Sequence, residues 1–498
     1  MNTLRYLSLF VITLIIVLWP NPKGNQSLLV SCVERSVDNG EWIAVFGGIS
    51  SDVGYSVVQT SDGGYVLLGE TQENEQRLGD IWIIKTNQHG EELWNKTYGD
   101  KGWETGRQIQ KTLDGGFIIV GKTTSFGTTT VENIWLLKID ASGGEEWNVT
   151  FGGEQADTGY GVQQTDDGGF ILVGQTWSFS TTVDLADVWL IKTDESGNEL
   201  WNMTYGGTEG DGGFAVVQTH DGGYAVAGDT LSYGNGWADI WLIKTAASGE
   251  ECWNTTYACT ENEVAWSLQQ THDDGFIMAG FTGDSTDIYG DILLIKTNDL
   301  GELLWMRTYG GPSGETGYFV EQTRDGGYVI TGTTYSFASG RVDRDLWLLK
   351  TDGLGNLVWD KTFGGTYPDT GYCVRQTSDD GYVVVGDTYS FGAGLNDVFL
   401  VKIEEPTLSL HFQGDLGLSV MISNNADETQ RDLLWSCETS KGFIVGSRTG
   451  SLQELPPKDH VNIRIPLIGL GKSTLRFTVN DLSKTAQCFI LGPIVMIK

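Results

Sequence analysis

Seven carboxylates recur at one fixed place in this chain, each eight residues ahead of a Thr that also recurs: Asp52, Glu104, Asp157, Asp211, Glu263, Glu315 and Asp369 precede Thr60, Thr112, Thr165, Thr219, Thr271, Thr323 and Thr377. Gathered round the mouth of one channel, such acids would repel one another and raise some of their pKa values, or recruit a hard cation such as Ca2+. Kept apart, each would tie its own incoming loop to a backbone donor, a hydroxyl or a Lys. Catalysis needs unlike groups at one place, whereas a sevenfold copy distributes like groups, so the repetition argues for scaffold. The phrase Trp-Asn-x-Thr is also repeated, and it makes Asn95, Asn148, Asn202 and Asn254 candidate glycan acceptors in an exported chain. The alternative is that Asn suits the position, as Asp360 and Met306 do in other copies.

What varies between the copies offers different chemistry. Five loops carry Ser followed by an aromatic, namely Phe126, Phe179, Tyr233, Phe337 and Phe391, and Trp177, Trp237, Tyr335 and Tyr389 belong to the same loops. Aromatic faces mixed with Asp, Asn, Ser and Thr can stack on sugars or anchor a protein partner. The competing use of such rings is as buried loop anchors. A Gly-x-Ser-x-Gly elbow, a phosphate loop and a zinc-protease helix are all absent from the sequence. The five His residues are scattered, and no metal cluster follows from them.

The elements that would position these groups are short strands. Trp42, Trp94, Trp147, Trp201, Trp253, Trp305 and Trp359 recur with a period of about 53 residues, and a period of this size signals a repeat architecture. Between them lie alternating segments such as "GYSVVQT", "GYVLLGET" and "DIWIIKT", bounded by Gly, Asp and Asn. This is the pattern of four antiparallel strands joined by hairpins, the size of a propeller blade. The strand around Trp42 has no blade before it, and the seventh unit ends at "DVFLVKI" with no Trp strand after it. The sequence therefore predicts an all-β seven-bladed β-propeller, closed by pairing the Trp42 strand with the strand around Phe399. The Lys of each third strand (Lys85, Lys138, Lys192, Lys244, Lys296, Lys350 and Lys402) reads as scaffold for the same reason as the acids.

The unit "DGGY…DIWLIKTD..GN..W..TYGG" resembles the secreted propeller repeats of archaeal and bacterial surface proteins, over residues 41 to 403. It is also similar to delta-sixty-type and PQQ-type repeats, and "TDESGNELW" resembles the turn-and-Trp segment of quinoprotein blades. The resemblance implies the propeller fold and an exported setting. Quinoprotein dehydrogenases, however, have eight blades and a disulfide between adjacent cysteines, whereas this chain has seven units and no Cys-Cys. Propellers host unrelated functions, so no activity follows from the fold.

Three segments are expected: residues 1–36 as signal peptide or N-terminal anchor plus linker, 37–404 as the propeller, and 405–498 as an immunoglobulin-like β-sandwich. In the last, Trp435 and Cys437 share a strand face, and Cys488 is a candidate to meet Cys437 across the sandwich as a disulfide, against two buried thiols. With 65 acidic and 31 basic residues among 498, the formal net charge is -34. A polyanion would be repelled over most of the surface, which excludes nucleic acid as a partner. A membrane would be met only through the N-terminal segment. The combined expectation is an exported cell-surface or extracellular binding or adhesion scaffold that engages a glycan or protein through its loop face, with Ca2+ as the one cofactor considered. The rivals are an extracellular enzyme, carbohydrate-active or quinoprotein-like, with its site on that face, and a purely structural envelope protein.

Overall fold

A computed structural model describes residues 12–17, 29–34, 41–72, 79–127, 131–258, 262–284, 287–339, 343–406, 408–415, 417–424, 429–439, 443–444, 449–456, 460–465, 467–480, 482–492 and 494–497. Every regular element among these residues is a β-strand. The unit read from the sequence appears as a four-stranded antiparallel sheet in the manner of a β-propeller. The first sheet pairs Asp52–Gln59, Tyr65–Thr71, Asp80–Thr86 and Glu92–Tyr98 in that order, and five further four-stranded sheets repeat it along the chain. The last sheet of this kind runs Asp369–Gln376, Tyr382–Thr388, Asp397–Ile403 and then Trp42–Gly47 from the other end of the chain. Val45 stands opposite Phe399 in that pairing, as the ends of the repeat predict. Strands Leu29–Glu34 and Ile12–Val17, in the segment read as an export signal, extend the same sheet. No helix among the described residues is long and apolar enough to cross a membrane.

Apolar residues fill the spaces between successive sheets. One cluster joins Trp42, Phe46, Val385 and Leu400 of the last sheet to Val57, Leu67, Trp82 and Ile84 of the first. The outer-strand Trp is part of this packing, because it lies against a turn glycine of the next sheet. A Cβ on Gly90, whose φ is +76°, would fall 2.4 Å from the Trp42 ring, and Gly143, Gly197, Gly249 and Gly301 sit in the same way against Trp94, Trp147, Trp201 and Trp253. The turn needs both the positive φ and the missing side chain.

The inner strands are tied hand to hand by glutamines. The turn amide of one sheet donates to the inner-strand Gln of the next: Leu113 to Gln164, Asp166 to Gln218, His220 to Gln270, His272 to Gln322 and Arg324 to Gln376, all at 2.8–3.0 Å. The series returns to its start when the Ser378 amide donates to Gln59 at 2.8 Å. Lys111 occupies the corresponding position in the second inner strand.

Two compact units are distinguished, Met1–Leu348 with Lys361–Ile403, and Leu349–Asp360 with Glu404–Lys498. The tail contributes a three-stranded sheet (Leu408–Asp415, Gly417–Asn424, His460–Ile465) and a larger one centred on Gln430–Thr439 and Leu467–Val479. The two share a core of Val420, Ile422, Leu433, Cys437, Leu475 and Phe477. The expected bridge between Cys437 and Cys488 is corrected here: Cys437 is a free, buried thiol. Cys437 stands opposite Phe477 and Cys488 opposite Ser473, so the two lie on either side of one strand and four residues out of register within a single sheet. That separation exceeds the roughly 7 Å that a disulfide spans between Cα atoms. The Cys488 side chain itself lies outside the described residues.

Candidate binding face

The seven recurrent acids each lie at the start of an inner strand, Glu263 as its second residue, and all are buried. One oxygen accepts from a Thr late in the second strand of the same sheet: Thr123 on Glu104 at 2.8 Å, Thr282 on Glu263 at 3.0 Å, Thr334 on Glu315 at 2.9 Å, and likewise Thr176 on Asp157, Thr230 on Asp211 and Thr388 on Asp369. The other oxygen takes a loop amide, as Gly48 gives to Asp52, Gly153 to Asp157, Gly207 to Asp211, Gly311 to Glu315 and Gly365 to Asp369 at 2.9–3.0 Å. The acids are therefore local tethers. No group of three or more His, Cys, Asp or Glu fit to hold a metal ion occurs among the described residues.

A second acid faces the tether from the neighbouring sheet in most copies, and Asn133 takes that place beside Asp157. Where the first Gly of the Tyr-Gly-Gly loop passes, a Cβ on Gly206 would lie 2.2 Å from Asp187 Oδ1 and 2.9 Å from Asp211 Oδ2, and Gly47 sits likewise between Asp397 and Asp52. Asp187, Asp239, Asp345 and Asp397 each keep one buried oxygen without a hydrogen-bond partner. Burial pushes Asp397 up to about 8, with the Asp52 charge adding to the effect, and burial carries Asp52 to about 6.

The Ser-aromatic pairs are anchors of the same system. Ser178, Ser232 and Ser390 donate to Asp157, Asp211 and Asp369 at 2.6–2.8 Å. The following rings pack on the third strand of their own sheets: Phe126 on Trp135, Phe179 on Trp189, Tyr233 on Trp241, Phe337 on Trp347 and Phe391 on Phe399, with centroids 5.0–5.7 Å apart. Phe126, Phe179, Tyr233 and Phe337 still leave 39–48% of their surface exposed. Trp237 is 75% exposed, and Trp177, Tyr335 and Tyr389 hold the loops through backbone bonds to Ala156, Gly314 and Pro368.

The four candidate acceptor asparagines are occupied on both sides of the amide. Each Oδ1 accepts from a third-strand indole, Trp82 to Asn95, Trp135 to Asn148, Trp189 to Asn202 and Trp241 to Asn254, at 3.1–3.2 Å. Each Nδ2, the atom a glycan would take, donates to Glu92, Glu145, Glu199 or Glu251 at 2.6 Å. Where the third strand carries Leu293 or Phe399 in place of Trp, the partner strand carries Met306 or Ile43 in place of Asn.

Unlike side chains meet elsewhere, at a position the repeat conceals. Each inner strand has a bulge, and its extra residue is Tyr55, Arg107, Tyr160, Phe214, Trp266, Tyr318 or Tyr372. All seven are half-buried, and they touch one another from sheet to sheet. Tyr318 lies 5.1 Å from Tyr372 and Tyr372 5.5 Å from Tyr55, the Arg107 guanidinium stands 5.0 Å over Tyr55 and 5.9 Å over Tyr160, Tyr160 is 5.0 Å from Phe214, and Phe214 is 4.4 Å from Trp266. These contacts arrange the bulge residues around a common axis.

Towards the loop side, the residue five places after the aromatic that opens each second strand adds variety: Glu70, Lys122, Gln175, Asp229, Phe281, Thr333 and Asp387. Glu70 accepts from Trp103 Nε1 at 2.9 Å and Thr105 at 2.8 Å, and Lys122 pairs with Glu132 at 2.6 Å while standing 4.6 Å over Trp103. Arg344 donates to Thr370 at 3.1 Å and reaches the Tyr335 hydroxyl at 3.5 Å. Of the nine expected rim aromatics, Tyr335 is thus the one tied to this axial group by its side chain. Burial raises the Tyr318, Tyr372 and Asp387 pKa values, so the hydroxyls stay protonated donors. The signal in the sequence was variation of residue type at two places inside an otherwise copied strand pair.

No family model matches the chain, and no curated protein matches it. Similar solved structures are β-propeller proteins. The WD40 domain of Pan2 from Neurospora crassa is 9% identical, with 72% of this chain and 90% of that chain covered at a TM-score of 0.44. An alpha-L-arabinanase from Penicillium chrysogenum is 10% identical, with 72% and 98% covered at 0.37. A protein of unknown function from Bacteroides caccae is 12% identical, with 64% and 98% covered at 0.39.

Proposed function

We propose that this chain is an exported, surface-associated binding scaffold: a seven-bladed propeller, closed by its Trp42 strand and followed by an immunoglobulin-like sandwich, that engages a glycan or protein partner at the axial end of its loop face. The observation that carries this reading is the convergence of Tyr55, Arg107, Tyr160, Phe214, Trp266, Tyr318 and Tyr372 on one axis, beneath Glu70, Lys122, Arg344 and Asp387. Seven copies of one group make a frame, whereas groups of four kinds, Tyr, Arg, Phe and Trp, gathered in one place make a recognition surface. Half-buried aromatic rings with a few fixed polar groups suit a sugar face or a protruding side chain.

The experiment is to screen the purified chain against a glycan array and a cell-surface protein extract, following both binding and product release, with Trp266→Ala/Tyr372→Ala as the test variant. Saturable binding without turnover, lost in the double variant while circular dichroism stays unchanged, supports the scaffold. Release of a cleaved or oxidised product supports the enzyme reading in its place.

A further inference from the structure

We propose that the chain pairs with a second copy of itself through the outer strand Leu303–Tyr309, the two strands running antiparallel about a twofold axis so that the fifth sheet continues into its counterpart. The inference is independent of the axial binding face and goes beyond it.

The outer strands are sheet edges, and an edge left uncharged invites another strand. In the first four sheets the edge carries an acid: Glu92, Glu145, Glu199 and Glu251 stand two residues before the Trp, and polar His89, Ser142, Ser196 and Ser248 occupy the preceding turn. The two later edges that lack this acid are already engaged. Strand Trp42–Gly47, which has no charged residue, is paired with Leu29–Glu34. In the sixth sheet Leu349–Asp360 forms one compact unit with the tail, and the buried Trp359 donates to Glu405 at 2.9 Å.

The fifth outer strand has neither the acid nor a cover. Leu300, Leu303 and Leu304 occupy its turn and the two places before Trp305, and they are 61%, 50% and 55% exposed. Its one charge, Arg307, lies 5.5 Å over Trp305. Among the described residues the strand pairs only with Asp287–Thr297, on its inner side. Three exposed leucines along an open, acid-free edge make a surface that gains by being covered.

A cavity of about 350 Å3 lies beside this edge, lined by Thr255, Tyr257, Leu300, Leu303 and Met306 among others. It opens where Thr255 takes the place of Lys96 and Met203, whose longer chains lie against Gly143 and Gly249 at earlier junctions. A strand added to the edge puts its residue opposite Met306 on the same face of the sheet, beside that cavity.

The strand is complementary to itself, which is why the occupant is a second copy. With Met306 opposite its counterpart, each Arg307 faces the other copy's Trp305, each Leu304 faces a Thr308, and no like charges meet. A register that set Arg307 against Arg307 would be penalised. A net charge of -34 opposes contact between copies over most of the surface, so an acid-free edge is where two of them can approach. A shared patch related by a twofold axis also closes at two copies.

The test is sedimentation equilibrium of the full chain over a hundredfold range of concentration, with a reversible dimer of twice the 54.4 kDa chain as the expected result. Leu303→Glu/Leu304→Glu copies Glu145 and Glu146 of the second sheet, so it should keep the parent circular dichroism while raising the dimer dissociation constant about tenfold or more. Leu200→Glu, at an exposed leucine of the third outer strand, should leave that constant unchanged. Met306→Cys in a Cys252→Ser background should form a disulfide between copies that Cys252→Ser alone does not, because residues directly opposite in an antiparallel pair have Cα atoms roughly 4.5–5.5 Å apart. A monomer at every concentration would overturn the proposal and leave the leucine edge to a foreign strand. A dimer that the double glutamate variant does not weaken, or that Leu200→Glu weakens as much, would overturn it too, and a dimer without the Met306→Cys crosslink would overturn the antiparallel pairing.

Discussion

The outer-strand asparagines link two levels of structure, because each couples a nearly buried indole to an exposed glutamate across neighbouring strands. A buried indole N–H left without an acceptor costs more than the net value of the bond it loses. Asn202→Met should therefore lower stability by about 1 kcal/mol or somewhat more in urea unfolding. In the Trp189→Phe background the same change should cost measurably less, since Phe399 beside Ile43 is the chain's own apolar version of the pair. Equal costs in both backgrounds would mean that the relay carries no coupling. The Trp-Asn-x-Thr phrase was legible as a repeated chemistry, but which partner each Asn serves depends on strand register. The trace it left in the sequence was the joint change of Trp and Asn in the copies with Leu293 and Phe399. Tyr55 and its counterparts were hidden for a related reason: a bulge breaks the alternation from which facing is read, so a lumen residue looked like one more strand residue.

Among the elements, the inner strands carry the closure. Strand count, turn positions and the pairing of the Trp42 strand with the Phe399 strand follow from alternation and from two incomplete ends, which is why they could be read directly. The glutamine series could not, because Gln at a strand end has many uses until its neighbour across the junction is known. Its one break gives a specific expectation. Lys111 stands where the other inner strands, from Gln59 to Gln376, carry Gln, so Lys111→Gln should supply the missing acceptor and stabilise the chain by about 0.5–1.5 kcal/mol. Gln59→Leu should remove the bond from Ser378 and cost a similar amount. Urea midpoints at constant m-value read both. A destabilising Lys111→Gln would show that the second junction is held by other means. The loop aromatics belong to this scale too: composition marked them as recognition groups, whereas the Ser beside each ring, tied to its strand acid, makes most of them fasteners of the loop.

Across the whole molecule, buried carboxylates set the response to pH. Asp52, Asp229 and Asp397 have folded pKa values raised to about 6, 7 and 8. A raised carboxylate binds its proton more tightly in the folded chain, so its contribution is fully present below the ordinary carboxylate pKa and is lost as pH rises through the folded value. Asp62, Asp114 and Asp221 act oppositely: bonded to hydroxyls and to Lys85, Lys138 and Lys244, they are lowered to about 2, and what they add is lost as pH falls through that range. With a net charge of -34 adding repulsion as acids ionise, the melting temperature should be highest on the acid side and fall between pH 5 and about 8.5. Asp397→Asn, which copies Asn133 at the same place in another sheet, should flatten that fall and raise the melting temperature at the alkaline end; an unchanged slope would dissociate Asp397 from the effect. The central claim, that unlike groups on the axis make this face a recognition surface, is tested most directly by comparing two variants in one glycan and surface-protein binding screen. One is Trp266→Ala/Tyr372→Ala on the axis, and the other is His220→Ala/Arg324→Ala in the turns between first and second strands. The account expects binding lost in the first and kept in the second. Binding kept in the first and lost in the second would contradict it and move recognition to the hairpin turns.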